Sequence, residues 1–406
     1  SLARALVVRG RSVGNGMVEG RTEGAEVDAA ARALLESFGM VIDPRRDHGK
    51  DYPLPEVLLV AVVGVLCGAD NLVLIEQVCG GMVPWLRRFS AFEHGVPSHD
   101  TLGRVFNLLR PGTFAEVLTE AADRLFRAGS DRHVAVDGKV ARRSFKEGDR
   151  NTAVHMVTAW ASGLGLSLGQ VSTDSKSNEQ TAILKLTELL DLTGCVVTID
   201  AQGCQKKIAS ALVDAGADYV LALKDNHPTL HGEVREFFDL LDGHDTAYTM
   251  STHSTTDGGH GRVEERRYCL TESIDWQQER AQWAGLRSFG MVESRRHVGD
   301  KVSVERRYFL STLGEADIHE FATTQRRHWA VENELHWVLD VALREDESRV
   351  RSGNAPANLA ILRRLVVSTL RRDKTFKVGA QGKRLRAAVD PEYRSKLLGQ
   401  IFGDAA

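Results

Sequence analysis

The sequence lacks the long hydrophobic run that would mark a membrane-spanning helix. Its longest apolar stretch, Val57 to Cys67, has 11 residues, whereas about 18 are needed to cross a bilayer. No early segment combines basic residues, an apolar core and a small-residue cleavage site, which is the pattern of a secretory signal. We therefore expect a protein of the cytoplasm that has no membrane partner.

Cysteine is scarce and is not arranged for disulfides or for a thiolate metal site. The chain has five cysteines, an odd number, and no Cys-x-x-Cys pair. Internal repeats and low-complexity tracts are also missing. What is present is a composition of 42% hydrophobic and 26% charged residues, which is typical of folded domains. The 406 residues are enough for two or three domains.

The charge is unevenly distributed along the chain. The formal net charge is −3, but residues 321–406 hold 16 Lys and Arg against 10 Asp and Glu. This end of the chain is therefore basic and the remainder acidic. A basic end is compatible with a polyanionic partner, and it is equally typical of a solvated helix surface.

Composition and periodicity divide the chain into four segments. Residues 1–42 show little periodicity, apart from a short amphipathic stretch around Ala29 to Phe38, and are expected to be poorly ordered or partly non-native. Because Met17 begins a more regular stretch, we expect residues 1–16 to be upstream read-through. Residues 43–130 predict a small helical domain. Residues 131–372 predict an α/β domain, and residues 373–406 predict a basic C-terminal tail.

One part of the helical segment has the pattern of a DNA-binding turn. Pro97 and the capping candidates Ser98 and Asp100 precede a short helix that carries Arg104. A turn between two helices with a basic residue on the second is typical of a helix-turn-helix motif. Small helical domains without this role are also common, so both interpretations stay open.

From Arg132 onward the sequence alternates between strand and helix patterns. A three-stranded meander is predicted first, followed by helix, strand, helix and strand: His133–Asp137, Ala153–Trp160, Leu166–Val171, Glu179–Leu190, Cys195–Asp200, Gln205–Ala215 and Asp218–Leu223. The apolar strands between helices predict a central sheet covered on both faces. Residues 247–313 are mostly of β pattern.

Two of the predicted strands end in an isolated aspartate, Asp137 and Asp200. The carboxyl ends of central strands are where α/β sheets bind ligands. Each Asp could instead only cap the turn that follows it. Two neighbouring carboxylates repel each other unless a cation lies between them. A divalent metal with oxygen ligands, such as magnesium, is therefore the more economical interpretation.

A third polar group lies on the helix predicted around residues 326–340. With about 3.6 residues per turn, Trp329, Glu332, His336 and Asp340 share one face, whereas Glu334 points elsewhere. Such a stripe is typical either of a site or of a solvated helix face.

Several short strings recur in a characteristic order and spacing over about residues 43–372. They include Val96-Pro-Ser-His-Asp-Thr, Val136-Asp-Gly-Lys, Lys176-Ser-Asn-Glu, Thr198-Ile-Asp-Ala, Asp218-Tyr-Val-Leu-Ala-Leu-Lys, Gly258-Gly-His-Gly-Arg-Val-Glu, Glu332-Asn, Leu335-His-Trp-Val-Leu-Asp-Val and Gly353-Asn-Ala-Pro-Ala-Asn. With these strings the sequence resembles the H-repeat-associated branch of bacterial insertion-sequence transposases with a DDE catalytic triad, and their order and spacing make the resemblance specific.

The resemblance implies an α/β fold with a ribonuclease-H-like catalytic core, an inserted β-rich region at about 247–313 and a helical N-terminal domain. It implies that Asp137, Asp200 and Glu332 are the catalytic residues and bind two Mg²⁺ ions, for which Mn²⁺ substitutes. The sequence departs from the family at phosphate-contact positions. Where the wider group has Tyr, Arg and Lys, this chain has Gln325, His328 and Leu339, and Gln202 stands where this branch has Met.

The implied function is a DNA transposase that binds terminal inverted repeats and target DNA, cleaves DNA and transfers strands, as a homodimer on paired ends in the nucleoid. The expected DNA contacts lie near the three carboxylates: Lys139, Arg142, Arg143, Lys206, Lys207, Lys224, His328, Trp329 and His336. Two alternatives stay open, an immobile relative that only binds DNA and a stand-alone nuclease. The presence of all three carboxylates favours the transposase.

Overall fold

The structure of the protein is a computed structural model that describes residues 28–46, 50–145, 149, 152–173, 179–243, 247–259 and 261–401. The expectation for residues 1–16 falls outside the described residues. Within the described part, no helix has both the length and the apolar character needed to span a membrane.

The N-terminal segment is helical, as predicted. Its described helices are residues 28–39 (α1), Leu54–Leu66 (α2), Leu72–Gly80 (α3), Val83–Leu86 (α4), His99–Leu108 (α5) and Pro111–Ala128 (α6). The apolar run forms α2, whose residues are buried on almost every side. Ser98 caps α5 by accepting a hydrogen bond from the Thr101 N–H, as its position predicts. The amphipathic stretch around Ala29 to Phe38 lies in α1, which places Leu34 and Phe38 in the core.

A mixed sheet forms the centre of the molecule. Its strands are His133–Val140 (β1), His155–Ala161 (β2), Leu166–Thr173 (β3), Val196–Ile199 (β4), Asp218–Leu223 (β5), Ser251–Gly259 (β6), Arg262–Thr271 (β7), Ser288–Val298 (β8) and Lys301–Ser311 (β9). Their order is β3-β2-β1-β4-β5-β9-β8-β7-β6. The first three strands form an antiparallel meander, and β4 and β5 run parallel to β1. This topology confirms the ribonuclease-H-like α/β core.

The inserted β region is continuous with the core sheet. β9 pairs antiparallel with β5, from Val220↔Ser311 to Leu223↔Tyr308, and β8, β7 and β6 continue outward as antiparallel neighbours. One face of the sheet is covered by Glu179–Leu189 (α7), Lys206–Asp214 (α8) and Pro228–Gly243 (α9). Ile318–Ala330 (α10) packs on the other face through Ile318 and Phe321. The predicted β character of residues 247–313 is thereby confirmed.

The C-terminal segment is folded, so the prediction of a tail over 373–406 is wrong for its described part. Helices Trp337–Val341 (α11), Ala355–Arg372 (α12), Ala380–Val389 (α13) and Pro391–Gly399 (α14) lie in this half of the chain. α13 and α14 place Ala387, Tyr393 and Leu397 in the same core as α2. Their basic residues are also used internally: Arg384 donates hydrogen bonds to the Val65 carbonyl at 2.9 Å and to Asp70 at 2.9 Å.

Candidate active site

Asp137 and Asp200 lie side by side at one edge of the sheet. β1 and β4 pair in parallel from His133↔Val196 to Val136↔Ile199, and each Asp is the next residue of its strand. β1 does not end there as predicted, because it continues to Val140 in pairing with β2. Asp137 is thus the point at which β1 leaves β4 and its side chain becomes accessible at this edge.

Glu332 reaches this edge from a distorted helix. α10 continues as a π-helix over Val331–His336 before α11 begins, and such wide turns occur often at functional sites. Oxygen or nitrogen atoms of Asp137, Glu332 and His336 lie within 4.8 Å of one another. The polar residues that were predicted to share one helix face therefore have different partners. Glu332 and His336 lie close to Asp137, whereas Asp340 pairs with Lys139.

Burial and neighbouring charge set the protonation of this cluster. Burial, followed by the repulsion of Asp200, Glu332 and Glu179, raises the pKa of Asp137 to about 7. Burial and the cations Arg364 and Lys139 lower the pKa of His336 to about 3. At neutral pH the imidazole is uncharged and can accept a cation, and its Nδ1 lies 3.6 Å from Asp137 Oδ2. The cluster thus concentrates carboxylates beside a neutral nitrogen donor.

The donor set fits a divalent cation. A cation offsets the burial and the repulsion by Asp200 and Glu332 that raise the pKa of Asp137, and the carboxylates of Asp137 and Glu332 lie within 4.8 Å of a ring nitrogen of His336. The sequence predicted three carboxylates as ligands. The structure adds the imidazole of His336 as a candidate ligand beside Asp137 and Glu332, which its distance from Asp137 in the sequence concealed. The sequence signal that could have indicated His336 is its position on the same helix face as Glu332.

Asp200 has a second role beside the cluster. Its Oδ1 accepts hydrogen bonds from the backbone N–H groups of Gln202 at 3.0 Å and Gly203 at 3.3 Å. The turn-capping interpretation of this residue is therefore confirmed. It does not replace the metal interpretation, because the charge of Asp200 contributes to the raised pKa of Asp137.

Lys139 holds the helix of Glu332 against β1. Its Nζ lies 2.8 Å from Asp340 Oδ1 and 3.5 Å from Asp346 Oδ1, and its side chain is only 9% exposed. Contact with DNA phosphate stays a prediction for Lys139, whose charge two carboxylates neutralise in this structure and whose side chain solvent barely reaches. The ion pair links the strand of Asp137 to the helix that follows Glu332.

Replacing Lys139 with Met is expected to raise the Mn²⁺ concentration that half-saturates the Asp137 cluster by roughly 10–100-fold, the usual cost of losing an outer-shell partner at a metal site. The reason is that Glu332 is then no longer held against Asp137. The measurement is Mn²⁺ binding by titration calorimetry. Glu188→Gln, on the exposed surface of α7, is the control, and an unchanged metal requirement in Lys139→Met would contradict a positioning role.

A second tether holds the other end of the π-helix. His328 Nδ1 lies 2.9 Å from Thr198 Oγ1, which in turn lies 2.9 Å from His133 Nε2. Burial lowers the pKa of His328 to about 4, so its imidazole is neutral. His328, expected as a DNA contact, is therefore engaged inside the protein, whereas Trp329 is 47% exposed.

The remaining predicted DNA contacts differ in solvent exposure and in whether they already form an ion pair. Arg142, Arg143, Lys207 and Lys224 are exposed. Lys206 is paired with Glu279 at 3.0 Å. For the exposed members, contact with phosphate stays a prediction.

Glu179 and His155 form a buried polar pair that the site residues predicted from the sequence do not include. His155 Nε2 lies 3.7 Å from Glu179 Oε2, and both side chains stand against Gly138, where a Cβ atom would lie 2.7 Å from Glu179 Oε1. A side chain at position 138 would clash with His155 and Glu179, so only glycine fits at this position next to Asp137. The available signal was the string Lys176-Ser-Asn-Glu, in which Glu179 is the last residue.

Comparisons with known proteins agree over most of the chain. The family described as "Transposase DDE domain" matches residues 128–369, and the one described as "DDE_Tnp_1-associated" matches residues 35–121. "Putative transposase YncI" of Escherichia coli O157:H7 is 36% identical over 90% of this chain and 94% of that protein. "H repeat-associated putative transposase YhhI" of Escherichia coli strain K12 is 32% identical over 90% of this chain and 98% of that protein.

A solved structure is more distant. The piggyBac transposase, in a synaptic complex with hairpin DNA, is 10% identical with a TM-score of 0.37, over 92% of this chain and 79% of the other.

Proposed function

Because the chain belongs to the family of transposases with a DDE domain, we propose that it is the DNA transposase of an insertion sequence, which binds the element's ends, cleaves DNA and joins the ends to a target. One observation carries the proposal. Asp137, Glu332 and His336 converge within 4.8 Å, and Asp137 lies on the strand that pairs in parallel with β4, which Asp200 follows.

The chain's own residues account for the chemistry as follows. Asp137, Asp200 and Glu332 would hold a pair of Mg²⁺ ions, with His336 as a neutral donor beside Asp137. When bound, such ions supply an activated water and stabilise the leaving 3′ oxygen of a phosphodiester. Lys139 and Thr198 keep the Glu332 helix in place against the two strands. No covalent link between protein and DNA is required.

The partners follow from the same proposal. Terminal inverted repeats and target DNA would bind across the exposed basic residues Arg142, Arg143, Lys207 and Lys224, and two copies of the chain would hold the paired ends. The capped helix α5, with exposed Arg104, is a second candidate surface for DNA. The protein would act in the cytoplasm, on the nucleoid.

Cleavage of DNA that carries the element's ends is expected to require a divalent metal. Mg²⁺ or Mn²⁺ should support cleavage, and Ca²⁺ should permit DNA binding with little cleavage, because the ligands are carboxylates and one imidazole without thiolates. The assay uses the flanking DNA of the gene, with EDTA as the control. Full cleavage in EDTA would overturn the metal mechanism, and binding without cleavage in Mg²⁺ or Mn²⁺ would instead indicate an immobile DNA-binding relative.

A further inference from the structure

Four arginines from two segments that are distant in sequence surround one cavity at the end of β1. The cavity measures about 600 Å³, and we call it the arginine pocket. Its lining includes Arg142 and Arg143, which follow β1, and Arg349 and Arg351, which precede α12. The pocket also includes Val140, three residues beyond Asp137, so it opens next to the strand that carries the first carboxylate.

The pocket carries an excess of positive charge. Among the described residues, Asp346 is the one carboxylate that forms an ion pair with any of the four arginines, at 3.1 Å from Arg142 Nε. Arg143 and Arg349 are exposed, and neither guanidinium has an acidic partner in the part of the chain that the structure describes. Like charges held together in this way repel one another unless an anion lies between them.

The walls of the arginine pocket are fixed by the protein itself. The Arg351 guanidinium lies 4.6 Å from the centre of the Phe145 ring and donates from Nε to the Arg143 carbonyl at 3.1 Å. Asp346 accepts a hydrogen bond from the Arg142 N–H at 3.2 Å and also contacts Lys139. The two arginine-bearing segments are therefore joined to each other and to the tether of the Glu332 helix.

We propose that the arginine pocket binds consecutive phosphates of a DNA strand as that strand approaches Asp137 and Glu332. This proposal rests on the proposed function. Guanidinium groups recognise phosphate oxygens with paired N–H donors, and contacts of this kind set the position of a strand without reading its sequence. Arg349 and Arg351 thereby join Arg142 and Arg143 as phosphate contacts.

The test measures binding of the full chain, carrying Asp137→Asn to prevent cleavage, to fluorescent DNA at several salt concentrations. Arg349→Gln should weaken binding about tenfold, as loss of one charge-assisted contact predicts, and should lower the slope of log K against log salt by about 1. Arg143→Gln should act in the same way. Arg235→Gln, an exposed arginine on α9, is the matched control and should leave both quantities unchanged.

The outcomes separate this proposal from the proposed function. Arg349 makes no hydrogen bond or ion pair with the described residues, so its replacement should leave Tm unchanged. Equal DNA binding by Arg349→Gln, Arg143→Gln and Arg235→Gln would overturn the arginine pocket as a DNA site, while metal-dependent cleavage by the otherwise unaltered protein would leave the proposed function standing. If inorganic phosphate displaces the DNA at an equal phosphate concentration, the pocket is a simple anion site and the proposal fails.

Discussion

Glu332→Gln is expected to abolish nearly all DNA cleavage, by a factor of about 1000 or more, as loss of a catalytic metal ligand predicts. Gln keeps the size of the side chain and removes the negative charge that a cation requires. Folding and DNA binding should persist, because Glu332 is exposed and its carboxylate meets Asp137 and His336 rather than the core. The measurement is the cleavage rate in Mn²⁺, with Tm and DNA affinity recorded in parallel.

Glu334→Gln is the matched control on the same π-helix. Glu334 lies 2.5 Å from Arg371, away from the Asp137 cluster, so its cleavage rate should be nearly normal. Asp340→Asn should resemble Lys139→Met, since Asp340 acts through Lys139. Normal cleavage by Glu332→Gln together with loss in Glu334→Gln or Asp340→Asn would show that the third carboxylate is misassigned.

Glu345→Gln is expected to lower the free energy of unfolding by about 3–5 kcal/mol, the usual cost of breaking a buried ion pair by removing one partner. Glu345 Oε1 lies 3.0 Å from the Arg364 guanidinium, and their side chains are 1% and 0% exposed. Arg364 also donates to Thr158 Oγ1 at 3.0 Å, the residue paired with Asp137 across β1 and β2. Without Glu345, a buried cation remains beneath the site. Urea denaturation measures the change.

Glu347→Gln provides the control two residues along the chain. Glu347 pairs with Arg344, but both side chains are more than half exposed, and exposed pairs contribute at most about 1 kcal/mol. A loss of stability in Glu345→Gln no larger than that in Glu347→Gln would contradict the importance of the buried pair.

Local patterns were sufficient for the strands and helices that position the first two carboxylates. The prediction for Asp218–Leu223 agrees with β5, and the helix predicted from Glu179 begins there. Alternation and apolar runs specify such elements because their burial is set by their own sequence. The parallel pairing that brings Asp137 beside Asp200 follows from the ribonuclease-H-like topology implied by the family resemblance.

Features that depend on distant partners could not be predicted in this way. In the sequence, Lys139 has the features of a phosphate contact, because it is a basic residue close to Asp137. Only the folded structure shows that Asp340, 201 residues away, lies beside it. The basic residues of α13 were expected in solvent because nothing near them in sequence shows that Arg384 hydrogen-bonds to α2. The π-helix was likewise missed, since a regular helix places Trp329 and Asp340 on the face of Glu332.

α2 shares a core with α13 and α14, which the ribosome makes much later than α2. Cys67 Sγ donates to the carbonyl of Ala387, 320 residues later in the chain. At about 5–20 residues per second, a ribosome takes roughly 15–60 seconds to make that intervening length. During that time the apolar surface of α2 that α13 and α14 will cover is without its final partners. Until α13 and α14 have been made, this surface of α2 is exposed to water or to contacts with other parts of the nascent chain.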